Sequence, residues 1–407
     1  MQPRRTGQNI QKTMVQKLIE IPIKVDETLC ALARNNIADY SEPKLISVKE
    51  SLNRTKSQID KYYATERVQW QSFERTVDTY RLLKSAVGKV SNAKHVTNAW
   101  LKYWELYNHY GLPECENFTA FFNAELPGAA LCAFNHYAHT VELNPMWYAS
   151  SLVDTTGDAL GDIYGIYKKN REHWLMNSAN NGDVTVSANI TDFTNRVPAI
   201  CLYSHDAGID ASNDFNNQET MNAKIHFGCA IIGLKTLSPG GTFIAKQYTF
   251  FETFTWNLIL LYASLFGEFY ICKPLTSRPN NSEIYMIGKN FKGLCPELEK
   301  IFMHRMENFS TAPFIQQEDL HKYSQPFEEI QRAARIIYGN QEFYIRENIS
   351  LFEQYKKRLD ILNDDLIFSR NAKILEWLKT YPVPKIGEEY QLASNDKQSS
   401  IQLSKIV

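Results

Sequence analysis

The chain has 407 residues, of which 44% are hydrophobic, 13% aromatic and 22% charged. This composition is typical of a globular protein of two to three domains with a large core, and it excludes low-complexity and fibrous classes. Lys and Arg number 44 against 45 Asp and Glu, a net charge of -1, so the chain as a whole has no general attraction to nucleic acids or anionic membranes. RNA binding would need a local basic patch.

The cysteines and the apolar segments indicate the compartment. Seven cysteines are scattered without metal-ligand spacing, which predicts buried thiols in a reducing environment. No apolar segment of signal-peptide length follows the N-terminus, and the longest apolar run, 256–272, is too short for a bilayer span. This run is predicted to be a buried helix that leads into a buried strand. We therefore expect a cytoplasmic protein that is not secreted and has no membrane contact.

The chain begins with a predicted helical region, residues 1–91. Apolar residues such as Ile59, Tyr62, Phe73 and Val77 recur at steps of three and four among many charges, which is typical of amphipathic helices.

Residues 92–310 have a different pattern. Short apolar runs at 199–203, 242–245, 268–272 and 284–287 are separated by helical stretches and by Gly, Pro and Asn turns. Such alternation predicts an α/β domain built on a mostly parallel sheet.

Residues 311–407 are predicted to be helical again. One apolar stripe runs from Phe343 to Leu362 and another covers 366–378, until Pro382 and Pro384 stop the pattern. From Gln391 the chain is polar and Ser-rich, which predicts a frayed tail.

A strand, a Pro-Gly turn and a helix follow one another at 121–137. The turn contains Glu125, Pro127 and Gly128. A small residue there lets the backbone approach a ligand, and the helix N-terminus behind it favours negative charge. An ordinary strand-to-helix turn is the favoured alternative when this segment is taken alone.

Three further segments place polar residues at strand ends. Asp206 closes an apolar strand, Lys246 ends a strand that follows a Gly-Gly turn, and Glu283 precedes another apolar strand. Catalytic groups gather at the carboxyl ends of strands in open α/β sheets. Ser204 and His205 do not form a triad with Asp206, because neighbours on one strand point apart. Taken singly, Lys246 fits a solvated surface position as well as a site position. A glutamate at a strand edge, such as Glu283, is usually solvated.

The order and spacing of these segments resemble the FtsJ/RrmJ-type ribose 2'-O-methyltransferases. The nearest likeness is to the FtsJ-like proteins of large cytoplasmic DNA viruses of the asfarvirus kind, and then to cap 2'-O-methyltransferases. The likeness extends over about residues 92–295. It depends on the segments 96–102, 125–128, 182–185, 206–208, 240–246 and 277–283.

The resemblance implies a fold, a cofactor and a set of site residues. The fold would be a Rossmann-like S-adenosyl-L-methionine-dependent methyltransferase domain flanked by the helical N- and C-terminal regions. The family's Lys-Asp-Lys-Glu tetrad falls on Lys102, Asp206, Lys246 and Glu283. The positions expected at the cofactor are Glu125, Pro127, Gly128, Trp147 and Asp183.

A ribose 2'-hydroxyl is a poor nucleophile, so its attack on a methyl group needs an aligned base. We expect Lys246 to be this base, with its pKa depressed by Lys102, while Lys102 and Asp206 position the reacting groups and Glu283 holds Lys246. The donor is already an activated sulfonium, so no metal is expected.

The function expected from the resemblance is methylation of capped mRNA, with capping or transcription machinery as partners and a viral factory or virion as the location if the protein is viral. Two alternatives stay open: methylation of internal ribose in rRNA or tRNA, and an inactive methyltransferase-like scaffold or virion protein. His136 and His139 are expected to be packing residues rather than metal ligands. The basic runs 168–171 and 356–358 could contact RNA, although solvated faces are the favoured interpretation.

Overall fold

The computed structural model describes residues 16–153, 161–209, 214 and 216–393. Its centre is one sheet of seven strands, surrounded by helices. The strands are β1 Ile19–Pro22, β2 Thr119–Asn123, β3 Met146–Ala149, β4 Ile200–His205, β5 Leu237–Gln247, β6 Phe266–Lys273 and β7 Ile284–Phe291.

Fourteen α-helices are found within these ranges, together with four short 3-10 turns. The helices are α1 Pro43–Lys56, α2 Asp60–Thr65, α3 Arg67–Val77, α4 Leu83–Val90, α5 Asn98–Tyr110, α6 Ala129–Thr140, α7 Ile166–Lys169, α8 Ser187–Arg196, α9 Gln218–Thr236, α10 Thr253–Ser264, α11 Pro296–Glu307, α12 Gln317–Leu320, α13 Ser324–Tyr355 and α14 Leu359–Thr380. The predicted apolar run 256–272 is confirmed as the end of α10 followed by β6.

The sheet order is β3-β2-β4-β5-β7-β6-β1. The pairs among β3, β2, β4 and β5 are parallel, whereas β7 is antiparallel to both β5 and β6. The predicted α/β class is confirmed, and the carboxyl ends of the four parallel strands meet at one edge. Such an edge is where ligands bind in open α/β sheets.

The two faces of the sheet bury two separate cores. Successive residues of a strand point to opposite faces. Accordingly Phe121 and Phe243 belong to one core, while Phe122 and Ile244 belong to the other. Helices therefore have to cover both faces, which explains the near-continuous apolar composition of the central strands.

The N-terminal region departs from its helical prediction. Its strand β1 pairs antiparallel with β6, with Ile19 opposite Lys273, and forms the sheet edge. The sequence Ile-Glu-Ile-Pro is too short to show a strand period, and only the exposed edge of β6 selects this conformation.

The flanking helical regions pack against each other as well as against the sheet. Tyr62 and Trp70 stack with ring centroids 4.8 Å apart, and both rings meet Phe352 of α13 edge-on at 5.0 Å. The N-terminal and C-terminal helical regions therefore share one packed aromatic cluster.

Two cysteines depart from the prediction of free thiols. Cys115 and Cys201 form a disulfide, although they lie 86 residues apart in the sequence. Cys30, Cys132, Cys229 and Cys272 are buried free thiols, as the scattered spacing predicts, and Cys295 is half-buried. Because Cys115 and Cys201 lie far apart along the chain, their spacing did not indicate that the fold brings them together.

None of the helices in the described ranges is long and apolar enough to cross a membrane.

The predicted frayed tail lies mostly outside the described residues, because these end at 393. Its first residue, Gln391, is buried and donates from Nε2 to the Asn92 carbonyl at 3.1 Å.

Two helical glycines form a matched pair for a stability test. A Cβ on Gly228 in α9 would lie 2.0 Å from the Val184 carbonyl oxygen, whereas a Cβ on Gly339 in α13 meets nothing within 4 Å. We expect Gly228→Ala to lower the free energy of unfolding by about 1–3 kcal/mol through overpacking. Gly339→Ala should raise it by about 1 kcal/mol, because alanine favours the helix. Urea unfolding of both variants measures this, and equal effects would contradict the close approach of α9 to the 182–185 loop.

Candidate active site

Helix α5 carries Lys102 into the site. The helix begins at a side-chain cap, in which Thr97 Oγ1 accepts a hydrogen bond from the Trp100 amide at 3.1 Å. Trp100 and Trp104 are fully buried, and their rings stack with centroids 5.1 Å apart. Because these residues are core, as predicted, the helix is fixed in rotation and Lys102 is held with only 8% of its surface exposed.

Strand register brings the other three tetrad members together. In the β4–β5 pair His205 lies opposite Ala245, so Asp206 is beside Lys246. In the β5–β7 pair Lys246 lies opposite Tyr285, and Glu283 is two residues before Tyr285 on the same side. Three neighbouring strands thus place an aspartate, a lysine and a glutamate at one edge of the sheet.

The four tetrad side chains form two ion pairs. Lys102 Nζ donates to Glu283 Oε1, which also accepts from the Tyr285 hydroxyl at 3.2 Å. Lys246 Nζ lies 3.5 Å from Asp206 Oδ1 and donates to the Asp206 carbonyl at 3.3 Å. Glu283 was expected to hold Lys246, and this pairing is wrong in the structure. Lys102 on α5 contacts the glutamate, whereas the β4–β5 register places Lys246 next to Asp206.

These pairs set the protonation states. Burial alone would lower the pKa of Lys246, but the carboxylates of Asp206 and Glu283 outweigh it and raise that pKa. The prediction that Lys102 depresses the pKa of Lys246 is therefore wrong. Burial would raise the pKa of Glu283, yet Lys102 and Lys246 lower it to about 2. For Asp206 burial dominates and raises the pKa, against the pull of the same two lysines.

Glu125 and Gly128 form a cradle at the carboxyl end of β2. Glu125 is buried, and its Oε1 accepts from the Leu131 amide at 2.7 Å. Its Oε2 is buried without a hydrogen-bond partner in the described structure. Gly128, with φ +103°, begins α6, and a Cβ there would lie 2.4 Å from Ile166 Cδ1. Pro127 follows Leu126 through a cis peptide bond.

This cradle fits the amino-acid end of S-adenosyl-L-methionine. The unpartnered Oε2 of Glu125 suits an ammonium group, whereas the Gly128 amide already donates to the Glu125 carbonyl at 2.7 Å and the Leu131 amide to Glu125 Oε1. The free Glu125 oxygen therefore agrees with the cofactor that the resemblance implies.

Asp183 and Trp147 are placed differently. The loop before α8 packs on the carboxyl end of β3, since the Val153 amide donates to Asn181 at 2.7 Å and a Cβ on Gly182 would lie 1.9 Å from the Ser151 carbonyl. This brings Asp183 to the same edge as the cradle. Trp147 lies inside β3, and its ring stacks on His173 with centroids 4.3 Å apart. The structure thus brings Asp183, but not the Trp147 ring, to the strand ends.

Residues 274–283, which we call the β6–β7 loop, connect β6 to β7 and end at Glu283. The residues that hold this loop could not be predicted from local pattern. Lys273 is buried and donates from Nζ to the Asn281 carbonyl and Glu283 carbonyl, both at 2.9 Å, and to Asn281 Oδ1 at 2.8 Å. Burial lowers the pKa of Lys273 to about 7. Lys273 only ends an apolar run in the sequence, and no spacing marks it as part of a site.

The histidines and basic runs that were weighed as alternatives make structural contacts. His136 hydrogen-bonds the Pro384 carbonyl at 2.8 Å and His139 stacks on Tyr390 at 4.1 Å, so their prediction as packing residues is confirmed. Lys356 pairs with Glu66 at 3.1 Å. Among the described residues no group of three His, Cys, Asp or Glu side chains could hold a metal ion.

Comparison with known proteins agrees with this geometry. The FtsJ-like methyltransferase family matches residues 146–291. The probable methyltransferase EP424R of African swine fever virus is 36% identical over 334 residues, which are 77% of this chain and 78% of that protein. The chain belongs to the FtsJ-like methyltransferase family.

A further relative and a solved structure are less similar. The mouse cap-specific mRNA (nucleoside-2'-O-)-methyltransferase 2 is 28% identical over 342 residues, covering 79% of this chain and 44% of that enzyme. A crystal structure of a ribosomal RNA methyltransferase, putative, from Plasmodium falciparum overlays on 49% of this chain and 99% of that chain, with 18% identity and a TM-score of 0.33. The FtsJ-like methyltransferase described here uses S-adenosyl-L-methionine as its methyl donor.

The Lys102–Glu283 pair predicts a pH dependence of stability. The folded-state pKa of Glu283, about 2, lies below its ordinary value of 4.5. Its ionisation therefore contributes stability that is present above about pH 4.5 and is lost as the pH falls towards 2. We expect the gap in unfolding free energy between wild type and Glu283→Gln to be largest near pH 6 and to shrink by pH 3, as measured by urea unfolding.

Glu299→Gln is the matched control for this measurement. Glu299 pairs with Lys235 at the surface, where ion pairs contribute about 0–1 kcal/mol. Its gap to wild type should stay within that range at both pH values. A gap for Glu283→Gln that does not change between pH 6 and pH 3 would contradict the ionised pair.

Proposed function

We propose that this FtsJ-like methyltransferase transfers a methyl group from S-adenosyl-L-methionine to a ribose 2'-hydroxyl of RNA, at a nucleotide next to the mRNA cap. The observation that supports it is the meeting of Lys102, Asp206, Lys246 and Glu283 at one sheet edge. Two ammonium and two carboxylate groups share that site, beside the cradle at Glu125.

The cofactor, when bound, supplies a methyl group on a positively charged sulfonium centre. Lys246 is the residue that we assign as general base for the ribose hydroxyl. Because Asp206 and Glu283 raise the pKa of Lys246, it is an ammonium group at pH 7 and has to lose a proton before it can accept one. At pH 7 most Lys246 side chains therefore donate a hydrogen bond to the hydroxyl oxygen. The small deprotonated fraction accepts the hydroxyl proton as that oxygen bonds to the methyl carbon, whose bond to sulfur breaks.

The second pair would orient the substrate from the other side. Lys102 is fixed by Glu283 and by the buried face of α5, so its ammonium group offers donors in a constant direction. Alignment of nucleophile and methyl group supplies a large part of such a rate enhancement. The ion pair with Asp206 holds the Lys246 side chain in place.

The cap is the substrate that the relatives favour, since one of them is named as a cap-specific mRNA 2'-O-methyltransferase.

The net charge of -1 predicts weak, salt-sensitive RNA binding by the isolated chain, so we expect capping or transcription machinery to supply the remaining affinity. The similarity to the African swine fever virus protein favours a viral factory or virion as its location.

Methyl transfer from labelled S-adenosyl-L-methionine to a short capped RNA, with nucleoside analysis of the product, tests this function. We expect a 2'-O-methyl mark on the first transcribed nucleotides. Lys246→Ala should reduce kcat at least about 100-fold, because both the hydrogen bond to the hydroxyl and the base are lost. Lys235→Ala, which removes a surface lysine, is the control and should retain wild-type kcat.

Three outcomes would change the assignment. An equal mark on uncapped structured RNA would favour internal rRNA or tRNA methylation. No transfer and no cofactor binding by the folded protein would favour the scaffold. A wild-type rate that does not rise between pH 7 and pH 9 would remove Lys246 as the base, because a base with a raised pKa gains activity as the pH rises.

A further inference from the structure

The β6–β7 loop ends at Glu283 and is held from outside the methyltransferase domain. Gln341 of α13 is buried, and its Nε2 donates to the Asn280 carbonyl at 3.1 Å. Its Oε1 accepts from the Ser282 hydroxyl at 3.2 Å. One side chain of the C-terminal region thus grips the loop at two residues, the second of which immediately precedes the tetrad glutamate.

A second connection runs through a buried carboxyl group. Glu105 Oε1 accepts from the Trp377 indole N–H of α14 at 2.7 Å and from the Thr276 amide of the loop at 3.1 Å. Glu105 is three residues after Lys102 on α5, so the two lie on adjacent turns of one helix face. Trp377 therefore reaches, through Glu105, both the helix of Lys102 and the loop of Glu283.

A third contact fastens α5 to the end of the C-terminal helix. The Trp104 indole N–H donates to the Tyr381 carbonyl at 3.3 Å. All of these partners except the half-buried Asn280 are buried, so water competes little for the donors and acceptors. The residues that match the family model end at 291, so Gln341 and Trp377 lie beyond the matched segment.

We propose that Gln341 and Trp377 are positioning residues for methyl transfer, through which the C-terminal helical region sets the geometry of the Lys102–Glu283 pair. The proposal rests on the function proposed for the tetrad. The extension is then part of the catalytic apparatus, although neither residue touches the substrate. Small displacements of a reacting constellation cost on the order of 100-fold in rate, so loss of this bracing should be visible in kcat.

The test uses Gln341→Met, which keeps the length of the side chain and removes its hydrogen bonds. The matched control is Gln331→Met, the same change at a buried glutamine of the same helix that faces Tyr40 and Phe327 instead of the loop. Hydrogen–deuterium exchange of the cofactor-free full chain is measured over residues 274–283. We expect faster exchange there in Gln341→Met and wild-type exchange in Gln331→Met.

The kinetic arm uses the same two variants with capped RNA. We expect Gln341→Met to lower kcat about 10- to 100-fold with the KM for S-adenosyl-L-methionine unchanged, while Gln331→Met keeps wild-type kcat. A purely structural role would instead lower the melting temperature of Gln341→Met below that of the control and leave the kcat of the folded fraction unchanged.

A second variant guards against failure of Gln341→Met to fold. Trp377→Phe keeps the ring and removes the indole N–H, so it should also speed exchange at 274–283. Trp256→Phe is its control, since the buried Trp256 indole N–H has no hydrogen-bond partner in the part of the chain that the structure describes. Unchanged exchange at 274–283 in both Gln341→Met and Trp377→Phe would overturn the proposal. The exchange measurement needs no activity. An inactive wild type would overturn the proposed function and with it the role of Gln341 and Trp377 in methyl transfer, whereas unchanged exchange would overturn only their hold on the β6–β7 loop.

Discussion

Two lysines and two carboxylates lie together at one edge of the sheet with only 10–22% of their side-chain surface exposed, and each charge needs a partner. Removing a charge from water costs several kcal/mol, which only close pairing and further hydrogen bonds repay. The structure meets this demand by pairing Lys102 with Glu283 and Lys246 with Asp206. The four residues come from one helix and three strands, so the demand for pairing fixes how these elements meet.

The supporting contacts follow from the same constraint. Tyr285 donates to Glu283, and Lys273 holds the carbonyl of that residue, so the glutamate cannot turn away from Lys102. Glu105 connects these contacts to α5. Burial deep in the core raises the pKa of this carboxyl group to about 7. The C-terminal helical region is therefore joined to the site by polar contacts.

The sequence predicted the parts of the site that depend on local pattern. Asp206, Lys246 and Glu283 each stand at the end of a recognisable strand, and the family spacing placed Lys102 on a helix whose tryptophans are core. The strands at 242–245, 268–272 and 284–287 are confirmed within longer strands, and the run 199–203 is confirmed as β4, which begins at Ile200.

What the sequence could not predict depends on distant contacts. The partner of each lysine is decided by strand register and by the approach of α5, and the direction of the Lys246 pKa shift follows from that pairing. Strand β1, the Cys115–Cys201 disulfide and the grip of Gln341 on the β6–β7 loop join segments that lie far apart in the chain. No local period or motif encodes such contacts.

The central claim is that the paired charges act on a ribose 2'-hydroxyl. Two capped RNAs that differ only at the first transcribed nucleotide, one with ribose and one with 2'-deoxyribose there, test it directly in a methyl-transfer measurement with the wild-type protein. Incorporation into the ribose substrate and its loss with the 2'-deoxy substrate is the predicted result. Equal incorporation into both RNAs would contradict it, because the methyl group would then be on another atom.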